Sequence, residues 1–369
     1  MTDMQKIYLS LLQAALWGGD VDRIVVSGEQ LNAVIRLAAF QSTGPLVYDQ
    51  LLKLRDVEIP ANVRMQLKQL CVSNMMSQQS MLQKLAKAWN TLEDAGIDPV
   101  LLKGFGLAQY YPQPYLRQWG DMDIYVGQEN YYKACRVLRE VFPEAWHQDE
   151  EDEDYKHYNF VFDDTMIETH RVSMTFAHPV DRRYYEHQEA MCLTKNGPKF
   201  ELDGITLTMP DDTFNVFFVF LHAWHHFGGT GMNMKQLCDM AVLLHVKRDV
   251  IDKQRLKEML KKLHLMEVWQ LMMYILVQHL GVSKEECPFY TDKCSKRAES
   301  LFELILIEGS SYRREKIDDT GASYVKRKLL TFQSRLADSK RVRPFAPKYA
   351  NHMIVSDFVH GIERTLKGK

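Results

Sequence analysis

The chain has 369 residues, of which 46% are hydrophobic and 25% are charged. That composition is ordinary for a globular protein and excludes disordered, collagen-like and low-complexity chains. The 46 basic and 48 acidic side chains leave a formal charge of −2, which excludes a globally basic protein that coats nucleic acid and argues against a long nucleic acid as the partner.

Residues 1–95 are predicted to form an N-terminal helical region. Apolar side chains recur there at roughly helical spacing, glycine is scarce, and Pro60 with Asn62 is typical of a helix start. We expect this region to be a packing layer rather than a catalytic one.

The next segment, 96–210, changes pattern and predicts a mixed α/β core. The apolar run at 99–102 predicts a buried strand, and Lys103-Gly104 predicts the turn that ends it. One or two helical turns follow and stop at Pro112, which cannot continue a helix. The core is therefore expected to begin with a strand, a turn and a short helix.

The alternation of residues 121–126 predicts a second strand. Asp121, Asp123 and Tyr125 fall on one face of it, and the apolar residues between them fall on the other. An amphipathic helix is expected over 128–142.

Two hairpins are expected to complete the core. The first pairs strands at 158–162 and 166–172, and the second spans 200–209 around an Asp-Gly turn. The acidic run that precedes the first hairpin, 149–154, is interpreted as a solvated loop.

The remaining segment, 211–369, is predicted to be a C-terminal helical region with a basic tail. Between 324 and 369 the chain holds eleven basic and three acidic residues. We interpret the tail as a solvated helical surface, with binding of RNA, an acidic partner or an anionic lipid as the alternative.

The cysteines and the apolar segments indicate the compartment. The six cysteines are scattered without a Cys-x-x-Cys pair, which favours reduced thiols over a disulfide framework or a zinc knuckle. The N-terminal residues lack the basic start and apolar run of a secretory signal. The longest apolar stretch, 214–224, is far shorter than the ~20 residues that cross a bilayer. These features predict a cytoplasmic protein without a membrane span.

Two aspartates lie at the head of the second predicted strand. Asp121 and Asp123 project from one face, where their carboxylates can hold one or two divalent cations such as Mg²⁺ or Mn²⁺. The preceding turn offers backbone N–H groups to phosphate oxygens. A phosphate cradle beside a carboxylate pair is what metal-assisted phosphoryl or nucleotidyl transfer requires. An exposed strand with alternating acids is the alternative interpretation.

Three neighbouring side chains are further candidates. The guanidinium of Arg117 matches phosphate oxygens, so it is a candidate triphosphate clamp, with a surface arginine in a polar loop as the alternative. Trp119 and Tyr125 lie beside the acids and could stack on a base, although a role in the core is favoured.

These residues together resemble a known family. The chain carries Leu102-Lys103-Gly104, Tyr111-Pro112, Arg117 and Gly120-Asp121-Met122-Asp123. In this it resembles the nucleotidyltransferase superfamily of DNA polymerase beta and the aminoglycoside nucleotidyltransferases. More narrowly, it resembles the bacterial family of uncharacterised nucleotidyltransferases. The resemblance extends through the N-terminal helices and to about residue 245.

The resemblance implies a metal site and a nucleotide site. Asp121 and Asp123 would bind the metal, and Glu168 would be the third carboxylate, which completes the metal site or acts as the base. The residues that would bind the nucleotide are Lys103, Gly104, Gly106, Arg117, Lys235 and Asp239. Lys235 and Asp239 would share the face of a helical wall that lines the active site.

A histidine-rich helix contains the second cluster of candidate functional residues. His222 and His226 are four residues apart and so share a helix face, and His225 lies between them. Structural histidines at the end of a buried helix are the favoured interpretation. A zinc or iron site completed by Asp239 is the alternative.

The sequence therefore predicts an α+β protein with a small mixed-sheet nucleotidyltransferase core between two helical regions. We expect a Mg²⁺- or Mn²⁺-dependent enzyme that moves a nucleotidyl group from a nucleoside triphosphate to a small molecule, sugar, peptide or protein. One alternative is an inactive nucleotide-binding module, because the superfamily's Gly-Ser or Gly-Gly pair is replaced by Gly104-Phe105-Gly106. The other is a metal hydrolase built on His222, His226 and Asp239.

Overall fold

The structure is a computed structural model that describes residues 1–19, 26–55, 57–147, 156–163, 165–311, 333 and 336–366. The predicted acidic run at 149–154 lies outside these residues, as do 324–332, 334–335 and 367–369 of the predicted basic tail. Where the tail is described, Arg341 Nε donates to the carbonyl of Phe227 at 3.0 Å and the guanidinium pairs with Glu308. This basic side chain is thus used within the fold. None of the described helices is long and apolar enough to cross a membrane.

Four helices form the N-terminal part of the chain. They are α1 (Asp3–Trp17), α2 (Gly28–Phe40), α3 (Gly44–Lys53) and α4 (Ala61–Asp94). The hydroxyl groups of Thr2 and Ser27 cap α1 and α2, and each cap is closed by a glutamine three residues later. The 34-residue helix α4 begins directly after Pro60, as predicted.

A small α/β unit follows the helices. Its elements are β1 (Val100–Leu102), α5 (Gly104–Ala108), β2 (Met122–Tyr125), α6 (Gly127–Val141), β3 (Trp146–His147), β4 (His157–Val161), β5 (Met166–His170), α7 (Pro179–Cys192), β6 (Lys199–Leu202) and β7 (Ile205–Thr208). Helix α7 is absent from the sequence prediction. Its buried stripe is Asp181, Tyr185, Glu189 and Cys192, and because two of these residues are acidic, the apolar periodicity that reveals a helix is missing.

The five-stranded sheet has the order β1-β2-β5-β4-β3. Strands β2 and β5 are parallel, whereas the other neighbouring pairs are antiparallel. The register places Asp123 opposite Leu102 of β1 on one side and opposite Glu168 of β5 on the other. The topology thus brings two distant acidic residues into adjacent positions on one sheet.

Six further helices have their bounds among the described residues. They are α8 (Asp212–Gly229), α9 (Met234–Lys247), α10 (Lys253–Lys262), α11 (Met266–Leu280), α12 (Ser295–Glu308) and α13 (Pro347–Leu366). Asp211 caps α8 by accepting from the N–H of Phe214 at 3.1 Å, as its position before the apolar run predicts.

Two apolar clusters fix the position of the sheet. One joins α1–α3 to the C-terminal helices, and the other packs the second half of α4 and α6 against the sheet. Met122 and Ile124 of β2 lie in the second cluster, so the alternate residue Asp123 faces the opposite way, toward α8 and α9. The structure confirms the predicted α+β class, with a mixed sheet flanked by helices.

Candidate active site

A cleft of about 330 Å³ lies between the sheet and helices α8 and α9. Its charged and histidine lining residues are Lys103, Arg117, Asp121, Asp123, His222, His226, Lys235 and Asp239. We call the group formed by Asp121, Asp123, Glu168 and His170 the sheet wall, of which Asp121 and Asp123 line the cleft, and the side formed by α8 and α9 with Arg117 the helix wall. Most of the residues that the sequence identifies as candidates meet in this cleft.

Lys103 occupies the turn between β1 and α5 in an unusual backbone conformation. Its φ is +55° and its ψ is −144°, a region that is strained for any residue with a Cβ. The ammonium Nζ donates to Asp123 Oδ1 at 2.9 Å and lies 2.8 Å from His222 Nε2. The strained turn thus directs a cation between the two walls, and Gly104 continues the turn with φ +49°.

Asp123 is the buried acid of the sheet wall. Its Oδ1 lies 2.9 Å from His170 Nε2 as well as 2.9 Å from Lys103 Nζ. Burial by itself would raise the pKa of Asp123, but Lys103 and His170 outweigh it and hold the pKa well below its usual range. Asp123 is therefore a carboxylate at any physiological pH.

Glu168 lies beside Asp123 on the neighbouring parallel strand. Its Oε2 is 3.2 Å from His170 Nε2 and 3.7 Å from His157 Nδ1. One imidazole nitrogen of His170 therefore contacts both carboxylates. Burial, opposed by the charge of Glu168, lowers the pKa of His157 to about 4, so this second imidazole is neutral at pH 7.

Asp121 lies just before β2 and is exposed at the edge of the cleft. Desolvation of the carboxyl is the largest cause that raises its pKa to about 6, and the like charges of Asp123 and Glu168 add to it. The charges of Lys103 and Lys235 oppose the shift. The three predicted carboxylates therefore interact electrostatically, and Asp121 carries the unfavourable part of that interaction.

The donor chemistry of the sheet wall suits a hard divalent cation. Three carboxylates supply the oxygen ligands that Mg²⁺ and Mn²⁺ prefer, and the raised pKa of Asp121 reflects a negative charge that a cation would relieve. Among the described residues, the closest metal-type group here is His157, Glu168 and His170. Asp121 and Asp123 are outside that group, although Asp123 contacts its member His170. The assignment of the metal ligands stays a prediction.

Arg117 and Asp239 form a buried ion pair on the helix wall. Arg117 Nε and Nη2 donate to Asp239 Oδ1 and Oδ2 at 2.7 and 2.8 Å, and the hydroxyl of Tyr111 donates to Oδ1 at 2.7 Å. Nη1 of Arg117 is buried without a hydrogen-bond partner. The structure thus gives Asp239 internal partners, while one nitrogen of Arg117 keeps its donor capacity. A contact between Asp239 and a substrate stays a prediction.

Lys235 is the second lysine of the cleft. Burial, together with the charge of Arg117, lowers its pKa to about 8, and Asp239 and Asp121 oppose the shift. A Cβ on Gly120 would lie 3.4 Å from its Nζ, so the absence of a side chain at 120 leaves room for the ammonium. This crowding of cations makes the helix wall receptive to an anion.

His222 and His226 form a chain of contacts next to Lys103. Their Nε2 atoms are 3.2 Å apart, and His226 Nδ1 lies 2.7 Å from the hydroxyl of Thr230. Burial and the charge of Lys103 lower the pKa of both imidazoles, to about 4 for His226. They line the cleft as neutral groups.

The ligand set of the alternative metal hydrolase does not come together. Over the described ranges, the two groups of three potential metal ligands are His157 with Glu168 and His170, and Asp181 with His264 and His352. Neither contains His222, His226 or Asp239. The physical reason is that the Asp239 carboxylate is already bound by Arg117 and Tyr111.

Three further predicted residues, besides Glu168 and His225, are absent from the cleft lining. A Cβ on Gly106 would meet the side chain of Met209 at 2.1 Å, so the packing of α5 requires glycine there, and a contact of Gly106 with phosphate stays a prediction. The ring of Trp119 packs on Phe105 with centroids 4.0 Å apart. Tyr125 lines a second cavity on the far side of the strand end. The packing of both aromatic residues agrees with the favoured interpretation of a role in the core.

Sequence reasoning missed two basic residues near the carboxylates, Lys156 and His157. Burial is the largest cause that lowers the pKa of Lys156 to about 8, and the positive charge of Lys103 adds to it. The negative charges of Asp123 and Glu168 oppose the shift. Lys156 directly precedes β4, and His157, the first residue of β4, pairs with His170 of β5. The predicted hairpin contained the signal, because an antiparallel register places the start of one strand beside the end of the other.

Comparison with known proteins identifies one family. The sequence model of the family described as "Uncharacterised nucleotidyltransferase" matches residues 27–281, which include every residue of the cleft named above. No curated protein and no solved structure matches the chain significantly.

Proposed function

The chain belongs to the uncharacterised nucleotidyltransferase family, and from this membership and the cleft we propose that it is a metal-dependent nucleotidyltransferase. The donor would be a nucleoside triphosphate, and the acceptor would carry a hydroxyl or a similar nucleophile. The observation that carries the proposal is a cleft of about 330 Å³ that is lined by the carboxylates of Asp121 and Asp123 and by the ammonium groups of Lys103 and Lys235, with Glu168 beside Asp123 on the neighbouring strand.

The two walls match the two halves of a metal–triphosphate. Phosphate oxygens would contact the ammonium groups of Lys103 and Lys235 and the remaining nitrogen of Arg117, because these are the cations that face the cleft. Asp121, Asp123 and Glu168 would hold a divalent cation, which when bound neutralises the polyphosphate and favours in-line displacement.

The reaction is a single substitution at the α-phosphorus. A bond forms between the acceptor oxygen and the α-phosphorus, and the bond from that phosphorus to the bridging oxygen of the β-phosphate breaks, which releases pyrophosphate. Glu168 would accept the proton of the acceptor hydroxyl. Its Oε2, which lies between His170 and His157, is held by side chains rather than by solvent alone.

The neighbouring histidine sets the orientation of both carboxylates. His170 contacts Asp123 and Glu168 through the same nitrogen, so we expect it to position these side chains rather than to react. The neutral pair His222 and His226 borders Lys103 on the opposite side, where the two rings restrict the directions that the ammonium can take.

Label transfer tests the proposal directly. The purified protein is incubated with each common ribonucleoside triphosphate, labelled at the α-phosphate, plus Mg²⁺ or Mn²⁺ and a size-fractionated cell extract. We expect the label to appear on one acceptor class and to depend on the cation, whereas label at the γ-phosphate should leave as pyrophosphate.

The matched variants are Glu168→Gln and Glu129→Gln. Both remove one charge without a change of shape, but Glu129 is exposed on α6, away from the cleft. Loss of transfer in the first variant alone supports the assignment. Triphosphate binding without transfer under all conditions would instead identify the inactive module, and equal activity of the two variants would contradict the role of Glu168.

A further inference from the structure

A second group of side chains that could ligate a metal ion lies away from the cleft. It comprises Asp181 of α7, His264 between α10 and α11, and His352 of α13, each with a ligand atom within 4.8 Å of the others. None of the three lines the cleft between the sheet and the helix wall. Asp181 and His352 are 171 positions apart in sequence, so the fold rather than local sequence brings them together.

The contacts within this group are close. His352 Nε2 lies 2.6 Å from Asp181 Oδ2, and the rings of His264 and His352 have centroids 3.8 Å apart. Asp181 is buried, His352 is half-buried and His264 is exposed. The group therefore has one enclosed side and one side open to solvent, through which an ion can enter.

The backbone at His264 has a left-handed conformation. Helix α10 ends with the N–H of Leu265 donating to the carbonyl of Leu260 at 2.8 Å, and His264 has φ +60°. Glycine, or else asparagine, is usual at this left-handed position after a helix. Histidine is also enriched among the residues other than glycine that adopt this conformation, so the turn can hold the imidazole beside Asp181 and His352.

We propose that Asp181, His264 and His352 form a binding site for a divalent transition-metal ion, with Zn²⁺ as the ion that fits best. Two imidazole nitrogens and one carboxylate oxygen are a common zinc ligand set, with the open position taken by water. Ligands at about 2.1 Å from a tetrahedral zinc are about 3.4 Å from one another. Small side-chain rotations are enough to reach those separations from the present arrangement.

The proposed ion would fasten the C-terminal helix to the rest of the protein. His352 belongs to α13, whereas Asp181 and His264 belong to α7 and to the turn after α10. One ion would thus join three segments that are distant in sequence. His352 lies beyond the family match at 27–281, whereas Asp181 and His264 lie within it, and the site is separate from the nucleotide cleft, which none of the three residues lines.

Zinc stoichiometry tests the proposal. The protein is stripped with a chelator, incubated with excess Zn²⁺, desalted and analysed by mass spectrometry for zinc per chain. We expect His264→Asn to retain about one equivalent fewer than the wild type, and the affinity to fall by more than about a hundredfold. Asparagine suits φ +60°, so this variant should fold. His187→Gln, an exposed histidine on α7, is the matched control.

Three further measurements separate a metal site from a plain hydrogen bond. Asp181→Asn can still bond to His352, so a hydrogen-bond role leaves the zinc content unchanged, whereas a ligand role lowers it. His157→Gln removes the competing group of the sheet wall and should leave this equivalent in place. Zn²⁺ should also slow proteolysis within α13 of the wild type but not of His264→Asn. Equal zinc content in the wild type, His264→Asn and Asp181→Asn would overturn the proposal.

Discussion

Each wall of the cleft contains an aspartate, but the surroundings of the two carboxylates differ: one has cationic and hydrogen-bond partners, and the other lies near like charges. On the helix wall, Asp239 is matched by Arg117 and Tyr111 at hydrogen-bond distance. On the sheet wall, Asp121 has a pKa raised to about 6 by its surroundings and by the charges of Asp123 and Glu168. A neutralised pair fixes shape, whereas uncompensated charge is available for a ligand. From this comparison we expect a structural role for Asp239 and a role in ligand binding for Asp121.

Asp121→Asn should give the largest separation between activity and stability. We expect turnover to fall by more than about a thousandfold, or about 4 kcal/mol, because a metal-facing carboxylate is lost. Stability at pH 7 should be unchanged or raised by less than about 1 kcal/mol, since the group is exposed and screened. Turnover assays and urea unfolding measure the two effects.

The pH dependence of this stability effect has a defined sign. The folded pKa of Asp121 is above the unfolded value of about 3.9, so its ionisation destabilises the fold at pH values above about 6. The gain in Asp121→Asn should disappear as the pH falls below 4. The exposed Asp98→Asn is the control, and a normal turnover in Asp121→Asn would refute the assignment.

Asp239→Asn should behave in the opposite way. We expect a loss of about 3 kcal/mol in the free energy of unfolding, because Arg117 would remain buried without its counter-ion. Urea unfolding measures the loss. The double variant Arg117→Met/Asp239→Leu should recover most of the stability, since both charges are then absent. If Asp239→Asn is as stable as the wild type, the pair does not have the structural role that its geometry indicates.

Asp123→Asn should combine both effects. Its carboxylate is bound by Lys103 and His170, so we expect a loss of about 2 kcal/mol in stability together with loss of turnover. The folded pKa of Asp123 is below the unfolded value. The stabilisation is therefore full at pH values above about 4 and is lost as the pH falls through the folded pKa. Unfolding curves of both proteins should converge in acid, and a constant difference would contradict this account.

The sequence predicts the acidic residues better than their partners. Alternation within β2 places Asp121 and Asp123 on one face, and a hairpin pattern locates Glu168, because both signals are local. The register that sets Asp123 beside Glu168 joins strands 45 positions apart, and no local pattern specifies it. From the sequence alone, Asp121→Asn and Asp123→Asn are expected to behave alike, and only the contacts of Asp123 distinguish them.

The partners of charged residues and the helix α7 show the same limit. The bond between Arg117 and Asp239 spans 122 positions, and a lone arginine in a polar loop gives no sign of it. Helix α7 escapes prediction because Asp181 and Glu189 occupy its buried stripe. Buried polar residues are determined by tertiary partners, so apolar periodicity finds the core elements and misses elements that carry polar interiors.

Lys235 should make triphosphate binding dependent on pH. Its pKa is lowered to about 8, so the ammonium loses its proton as the pH rises through this value, and binding should weaken about tenfold between pH 7 and 9. Titration with a fluorescent triphosphate analogue measures the affinity. Lys235→Arg stays charged and should flatten the profile. Lys156→Arg, at a lysine with a similar pKa, is the matched control. If only this control has a flat profile, Lys156 rather than Lys235 causes the pH dependence.

Gly120→Ala, next to Lys235 of the helix wall, should have the smallest effect on triphosphate binding. The added Cβ would lie 3.4 Å from Lys235 Nζ, so the ammonium must move by a few tenths of an ångström. We expect the KM for the triphosphate to rise by about threefold, with kcat unchanged, because the contact is adjusted rather than lost. Gly28→Ala, where the Cβ meets nothing within 4 Å, should leave KM unchanged. A fall in kcat without a change in KM would mean that the substitution acts through Asp121 of the sheet wall and not through Lys235.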